Sequence, residues 1–335
     1  MEGSAPRRIV TLGGGHGQAM LLGALSGLAC DLAAVVSVAD DGGCSGQLRR
    51  ELGMPPPGDV RRCLSTLARN REAAALVEQR IEVGPAKGRC VGNLALAELT
   101  VELGTLTRAA RRMAGLLATT GRVLPVADVA GTLAVYDMEH GQVDGESRIE
   151  RLSGNAVVAA VHGPEQATDA ALEVIADADL LLFGPGSFVG STLAVLATGD
   201  VARAVAESSA RRVLVRNVAR EEHTNVPGAV DFDDHERLFR DHLVIGTLGE
   251  PVPFDVLTDA PQAGTFHRAD GTRELLFSVA SPGLRKHDGD KLRAALAHHF
   301  DLAPRSELPP SIHYGSAVRE IEALAARALA RIGLV

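Results

Sequence analysis

Twice near its start the chain runs an apolar, β-branched strand into a glycine-rich loop and out again into a helix. Arg8-Ile9-Val10-Thr11-Leu12 leads into Gly13-Gly14-Gly15-His16-Gly17-Gln18, followed by a helical stretch from Ala19 to Leu28. Ala33-Ala34-Val35-Val36-Ser37-Val38 then meets Asp40-Asp41-Gly42-Gly43-Cys44-Ser45, where a second helix opens. Strand, glycine loop, helix, strand is the start of an open parallel α/β sheet, and such sheets bind ligands outside the carboxyl ends of their strands. Glycines admit φ > 0 and close backbone approach, so their N–H groups can face an anion. Gly13–Gly17 therefore reads as a phosphate cradle at a helix N-terminus. Adjacent like charges repel, so Asp40 and Asp41 read as gripping ribose hydroxyls or a divalent cation. The plain alternative is a solvated acidic turn, since Asp and Gly are common turn residues.

Two familiar motifs are excluded. A G-x-G-x-x-G fingerprint beginning at Gly13 would need glycine at position 18, which is Gln18. A P-loop would need Gly-Lys-Ser/Thr, and the lysines are Lys87, Lys286 and Lys291 alone. A net charge of -8 over 335 residues argues against a nucleic-acid partner or an anionic membrane surface. No apolar run approaches the ~20 residues that span a bilayer, so no membrane insertion is expected. The residues ahead of the first strand leave no room for a signal peptide. Cys30, Cys44, Cys63 and Cys90 form no C-x-x-C pair, so structural zinc is not expected and reduced thiols in a cytoplasmic protein fit best. Cys44 has no basic neighbour to activate it and reads as standing where serine would serve.

Further along, Pro55-Pro56-Pro57-Gly58-Asp59 breaks the chain and offers Asp59 as a helix cap before Val60–Asn70. Helical patterns continue over Ala73–Ile81, Gly92–Leu103 and Thr107–Ala118, a block that reads as a helical insertion at about residues 59–119. Strand signals return at Val123–Val126, Thr132–Tyr136 and Ala156–Val161, with Glu139-His140-Gly141-Gln142 as a hairpin turn. A helix over Thr168–Ala176 leads to the fully apolar strand Asp179–Phe183. That strand ends at Gly184-Pro185-Gly186-Ser187, with helices at Val189–Leu196 and Val201–Glu207 and a strand at Arg212–Asn217. Past residue 220 the signals weaken to helices at His235–His242, Asp288–His298 and Ser316–Ile332. The fold class is α/β: a three-layer, mostly parallel sheet with a helical insertion and a C-terminal helix, residues 7–332 forming one domain.

Several segments, taken in order, resemble the YvcK/CofD family. They are Gly-Gly-Gly-His-Gly at 13–17, Val-Ala-Asp-Asp-Gly-Gly-Cys-Ser-Gly at 38–46, Pro-Pro-Gly-Asp-Val-Arg at 56–61, Gly92-Asn93-Leu94 and Val123-Leu124-Pro125-Val126. Gly145-Glu146-Ser147, Gly184-Pro185-Gly186-Ser187 and Asn217-Val218 extend the match, and Arg285-Lys286-His287-Asp288 with Lys291-Leu292 is a fainter echo. The resemblance is closer to the YvcK (gluconeogenesis factor) branch than to the 2-phospho-L-lactate transferase branch. It implies a Rossmann-like sheet and, for the first branch, a regulatory protein that binds nucleotide sugars of the UDP type and supports cell shape and carbon metabolism. For the second it implies a magnesium-dependent transferase using a nucleoside diphosphate donor. The chain departs from the YvcK pattern at Cys44 (usually serine), Arg62 (usually asparagine), Arg89-Cys90 (where a histidine is usual) and the segment 219–224.

The expected ligand set is accordingly Gly13, Gly14, Gly15, His16, Gly17, Asp40, Asp41, Gly42, Gly43, Ser45, Asn93, Gly184, Gly186, Ser187 and Asn217, around a nucleoside diphosphate or nucleotide sugar. Asp40, Asp41 and Asp59 are the candidates for Mg2+. His16 reads as a phosphate donor or general acid, against a solvated loop histidine. Asn93 reads as a helix cap or a ligand contact, and Asn217 as a ligand contact at a strand end. His223 is a second candidate acid–base group. His298-His299 reads as surface. A small-molecule nucleotide is the expected partner, with a protein partner and a homo-oligomer as further expectations; catalytic residues are not identifiable.

Overall fold

The structure, a computed structural model, describes residues 5–137, 141–149, 161–162, 164–218, 232–246, 252–282, 286–305 and 315–334. The chain opens with β1 (Arg7–Gly13), α1 (Gly15–Ser26) and β2 (Cys30–Val36). Five helices follow without a strand between them: α2 (Gly43–Leu52), α3 (Gly58–Leu67), α4 (Arg71–Glu78), α5 (Val91–Leu103) and α6 (Leu106–Leu117). Next come β3 (Arg122–Pro125), β4 (Ala134–Asp137), β5 (Gly141–Asp144), α7 (Glu146–Ile149), β6 (Val161–His162), α8 (Asp169–Ala176) and β7 (Leu180–Phe183). A wide helical turn over Phe188–Leu193 runs into α9 (Ala194–Leu196), then α10 (Val201–Glu207) and β8 (Arg211–Val215). The remainder is α11 (Phe232–Gly246), β9 (Asp255–Asp259), β10 (Gly264–His267), β11 (Arg273–Phe277), α12 (Gly289–Phe300) and α13 (Gly315–Arg331).

Eight strands form the main sheet in the order β10-β11-β9-β8-β7-β1-β2-β3, parallel except for the β10–β11 pair. From β1 the chain steps outward through β2 to β3, then returns to build β7, β8 and β9 on the other side. Right-handed crossovers in opposite directions put their helices on opposite faces. In agreement, α1 packs with α3 and α12, while α10 packs with α8 and α11. The sheet centre is buried on both sides, as its near-continuous apolar strands require. All four residues of β7 are buried, and each contributes about 1.5–3 kcal/mol. Phe183 meets Phe239 edge-on at 4.8 Å, and Phe239 meets Phe254 at 4.9 Å, closing the core beneath β8 and β9.

The sequence missed β5, which pairs antiparallel with β4, and it missed β9, β10 and β11. Those last strands are short and mixed in polarity, so no alternation marks them. Of the expected hairpin turn Glu139–Gln142, Gly141 and Gln142 instead open β5, while Glu139 and His140 lie outside the described residues, as does most of the expected strand Ala156–Val161. Among the described residues no single helix is long and apolar enough to cross a membrane.

Helix α13 lies along α5 and is pinned by one buried charge. Glu98 is 2% exposed and accepts from Nε and Nη2 of Arg331, both at 2.9 Å. Hydrogen bonding to Arg331 holds its carboxyl below the usual range, so this stability is present above the unfolded value and fades as pH falls through the folded one. Arg331→Ala should lower stability at neutral pH, because the buried Glu98 carboxylate loses two donors and keeps only the more distant Arg327. Urea unfolding should show that deficit at pH 7 and a smaller one in strong acid.

Candidate functional site

The chain's reversal of direction leaves a switch point between β1 and β7, where open α/β sheets hold ligands. Two loops meet there. The first leaves β1 and becomes α1 at once: Gly14 is the N-cap, with no side chain to cap it, and Gly15, the first residue of α1, turns the chain in the left-handed region at φ +64°. The expected helix start at Ala19 is therefore one turn late, and the glycine loop is itself the helix N-terminus. The second loop leaves β7 through Gly184, a cis peptide to Pro185, and Gly186. Ser187 caps the following turn by accepting Gly190 N–H at 3.1 Å. A Cβ on Gly17 would land on the Pro185 carbonyl, so only glycine lets the loops close on each other.

Beneath them, Gln18 explains the broken fingerprint. Its fully buried amide nitrogen donates to Thr11 O at 3.2 Å, Thr11 Oγ1 at 3.1 Å and Val35 O at 3.1 Å. The side chain ties α1 to β1 and β2, and glycine could not do this.

A cleft of about 360 Å³ opens between the loops. Gly14, Gly15, His16 and Gly17 form one wall, and Gly186, Ser187 and Ser191 form another. Asp40, Gly42, Asp59, Glu146 and Ser147 complete it. Backbone N–H groups at helix starts lack intrahelical acceptors and suit anions; the carboxylates opposite accept from hydroxyls or cations.

The structure sorts the residues expected from the sequence. Gly14, Gly15, His16, Gly17, Asp40, Gly42, Gly186 and Ser187 line the cleft. Asp40 Oδ1 accepts Gly42 N–H at 2.8 Å, fixing the acidic turn. Asp41 does not line it; its Oδ1 accepts Ser147 N–H at 2.9 Å and the Ser147 hydroxyl, and so fastens the β5–α7 turn over the cleft. Gly13 ends β1 behind the loop, and Gly43 starts α2 facing outward. Ser45 and Asn93 are buried behind Asp40, with Asn93 Nδ2 donating to Ser45 Oγ at 3.4 Å and Asn93 Oδ1 unpartnered. Gly184 and Asn217 line a neighbouring crevice that shares Gly186 with the cleft. His223 and the rest of 219–224 lie outside the described residues, as does Arg285.

The metal reading needs correction. Asp41 is turned to Ser147, and among the described residues no group of three or more His, Cys, Asp or Glu could hold a metal ion. Asp40 and Asp59 remain, a pair that suits Mg2+ only with phosphate oxygens completing the shell.

Asp59 is not a helix cap either; Pro57 occupies that position. In the first turn of α3, Asp59 Oδ1 accepts Arg62 Nη1 at 2.9 Å, and its carboxylate takes Gly15 N–H as well. Burial pushes its carboxyl above the usual value; Arg62 opposes this and the charge of Asp40 adds to it. His16 sits at the mouth, held below the usual imidazole value by partial burial and by Arg62 and Arg61. Neutral at pH 7, it offers phosphate one N–H rather than a full charge.

Sequence reasoning missed Glu146, Ser147 and Ser191 as lining residues. Ser191 follows Ser187 by four, a helical spacing that places both on one face. For Glu146 and Ser147 the only signal is an acid–hydroxyl pair after Gly145.

Comparisons with known proteins agree with the fold. The family model described as 2-phospho-L-lactate transferase CofD matches residues 9–256. The chain belongs to the YvcK/CofD family. A Thermotoga maritima relative is 38% identical over 213 residues, covering 63% of this chain and 68% of its own length. The gluconeogenesis factor of Bacillus subtilis is 35% identical over 252 residues, covering 72% of this chain and 76% of its own. The crystal structure of a UPF0052 family member from Bacillus halodurans superposes with a TM-score of 0.74 at 27% identity, covering 88% of this chain and 99% of that one.

A carboxyl raised in the folded state contributes stability that is fully present below the unfolded value of about 3.9 and lost as pH rises through the folded value. Asp59→Asn should remove that dependence. Unfolding followed from pH 4 to pH 7 should show the parent gaining on the variant as pH falls.

Proposed function

We propose that this chain binds a nucleoside diphosphate sugar of the UDP type and acts as a regulatory protein of the cytoplasm, supporting cell shape and carbon metabolism. The observation that carries the reading is the two-walled cleft at the β1–β7 switch point. The diphosphate lies against the N–H groups of His16 and Gly17 and that of Ser187, since the Gly15 and Gly186 N–H groups already donate to Asp59 and Asn217. Asp40, Asp59 and Glu146 stand opposite as acceptors for sugar or ribose hydroxyls. Relatives named gluconeogenesis factor support the carbon-metabolism part of this reading.

A regulatory role requires that the ligand favour one conformational state over another. The turn held by Asp41 and Ser147 is an element such a ligand would contact, because Glu146 and Ser147 face the cleft. A protein partner reading that turn would sense occupancy.

One observation favours transferase chemistry as a second reading: a raised carboxyl, Asp59, beside Asp40 at the phosphate end. Asp40 and Asp59 would be the residues to hold Mg2+, which would supply charge neutralisation for the donor phosphates. That matches the transferase description of the family model.

Titration calorimetry with UDP-sugars tests the binding site. Gly15→Val should abolish binding, because φ +64° strains any side chain and the valine would project beside the cleft. Asp40→Asn should weaken binding by about 1–3 kcal/mol. Unchanged affinity in both variants, with and without magnesium, would sink the placement.

Phosphorus NMR distinguishes regulator from transferase. With nucleotide sugars, magnesium and hydroxylated acceptors, the regulator predicts an unchanged spectrum. Release of free nucleotide at an enzymatic rate, lost in Asp59→Asn, would establish the transferase.

A further inference from the structure

Asn217 follows β8 and does not line the cleft, yet it is joined to the residue that does. Its Oδ1 accepts Gly186 N–H at 3.0 Å, and its Nδ2 donates to Gly186 O at 2.9 Å. One carboxamide thus grips both polar atoms of one residue, a paired contact that fixes orientation as well as position. Gly186 has no side chain by which it could otherwise be held, and its neighbour Ser187 lines the cleft and caps the following turn.

The grip is anchored from behind. Arg216, next in the chain, pairs with Glu236 of α11 and lies 3.7 Å from Glu274 of β11. Arg268 joins the same two carboxylates, reaching Glu274 at 3.1 Å. His235, beside Glu236, stacks on Phe188 with ring centroids 4.2 Å apart and planes 13° apart. The Gly184–Phe188 segment is therefore held at Gly186 by Asn217 and at Phe188 by His235, both supported by the same charged network.

We propose that Asn217 is a positioning residue for the second anion-binding loop: it sets the direction of the Gly186 and Ser187 backbone groups, and nucleotide affinity depends on it without contact between the two. This rests on the nucleotide-binding reading above. It differs from the simpler view of Asn217 as a ligand contact in what it predicts. A contact to base or ribose would matter only for ligands that carry those parts. A residue that orients the phosphate loop matters equally for every ligand with a diphosphate.

Calorimetry with inorganic pyrophosphate, UDP and a UDP-sugar separates the two. Asn217→Ala should weaken all three by a similar factor, about tenfold. Hydrogen exchange on the unliganded variant should show the Gly186 amide losing protection while β8 keeps it, which excludes general unfolding as the cause. Asn217→Asp provides a second variant. Its neutral carboxyl can donate and accept like the amide, whereas the ionised form can only accept and faces the Gly186 carbonyl. Affinity relative to the parent should therefore recover as pH falls. Taking the ratio at each pH cancels contributions common to parent and variant from Arg216, His235 and Glu236 in the same crevice and from His16 and Asp59 across the cleft. A loss confined to UDP and UDP-sugar, or Gly186 protection unchanged in Asn217→Ala, would overturn the positioning role while leaving nucleotide binding intact. Failure of the parent to bind any of the three probes would overturn both.

Discussion

The contact between the first turn of α1 and the carbonyl of Pro185 is the constraint around which the site is organised. It joins the loops that leave β1 and β7, the strands flanking the switch point. Two helical starts are thereby brought to one cleft, where one alone would offer a weak and solvated anion site. The approach is possible only because position 17 has no side chain. Gln18 holds the helix down from the other side, bonded to β1 and β2 within the core.

Around this anion-binding pole each of the three aspartates has a hydrogen-bond partner. Asp41 is bound to Ser147, Asp59 to Arg62 and Gly15, and Asp40 to Gly42. The like-charge repulsion expected of adjacent aspartates is relieved by turning them apart: one reaches the cleft and the other secures the turn above it. The acidic loop is thus both a binding surface and a structural fastening. Asp59 combines the two roles, because its carboxylate occupies a glycine-loop N–H while facing the ligand space. Its raised proton affinity follows from burial more than from Asp40.

The half of the sheet beyond β7 supports the site without lining the main cleft. Asn217, Arg216 and His235 tie the Gly186 loop to α11 and to the buried carboxylates Glu236 and Glu274. The sequence gives little warning of this support, because each residue is unremarkable alone and the partners are distant in the chain.

Local chemistry made much of the protein legible in advance. Apolar runs ending in glycine announce buried parallel strands, because only those bury both faces and open onto a ligand. Gly13–Gly17, Asp40 and Ser187 could be placed at strand ends for the same reason. Consecutive helical periods from Asp59 onward mark the insertion. What the sequence could not decide is which neighbours share a cleft, since side-chain direction depends on contacts across the fold. Asp41 and Asn217 look like ligand residues on the strand-end rule; folding brings Ser147 to the first and Gly186 to the second, and both are hydrogen-bonded there outside the lining of the cleft. Glu146 enters the cleft for the complementary reason: α7 is carried there by tertiary packing, which no local spacing encodes, whereas Ser191 follows from Ser187 by helical spacing once the turn after Ser187 is in place.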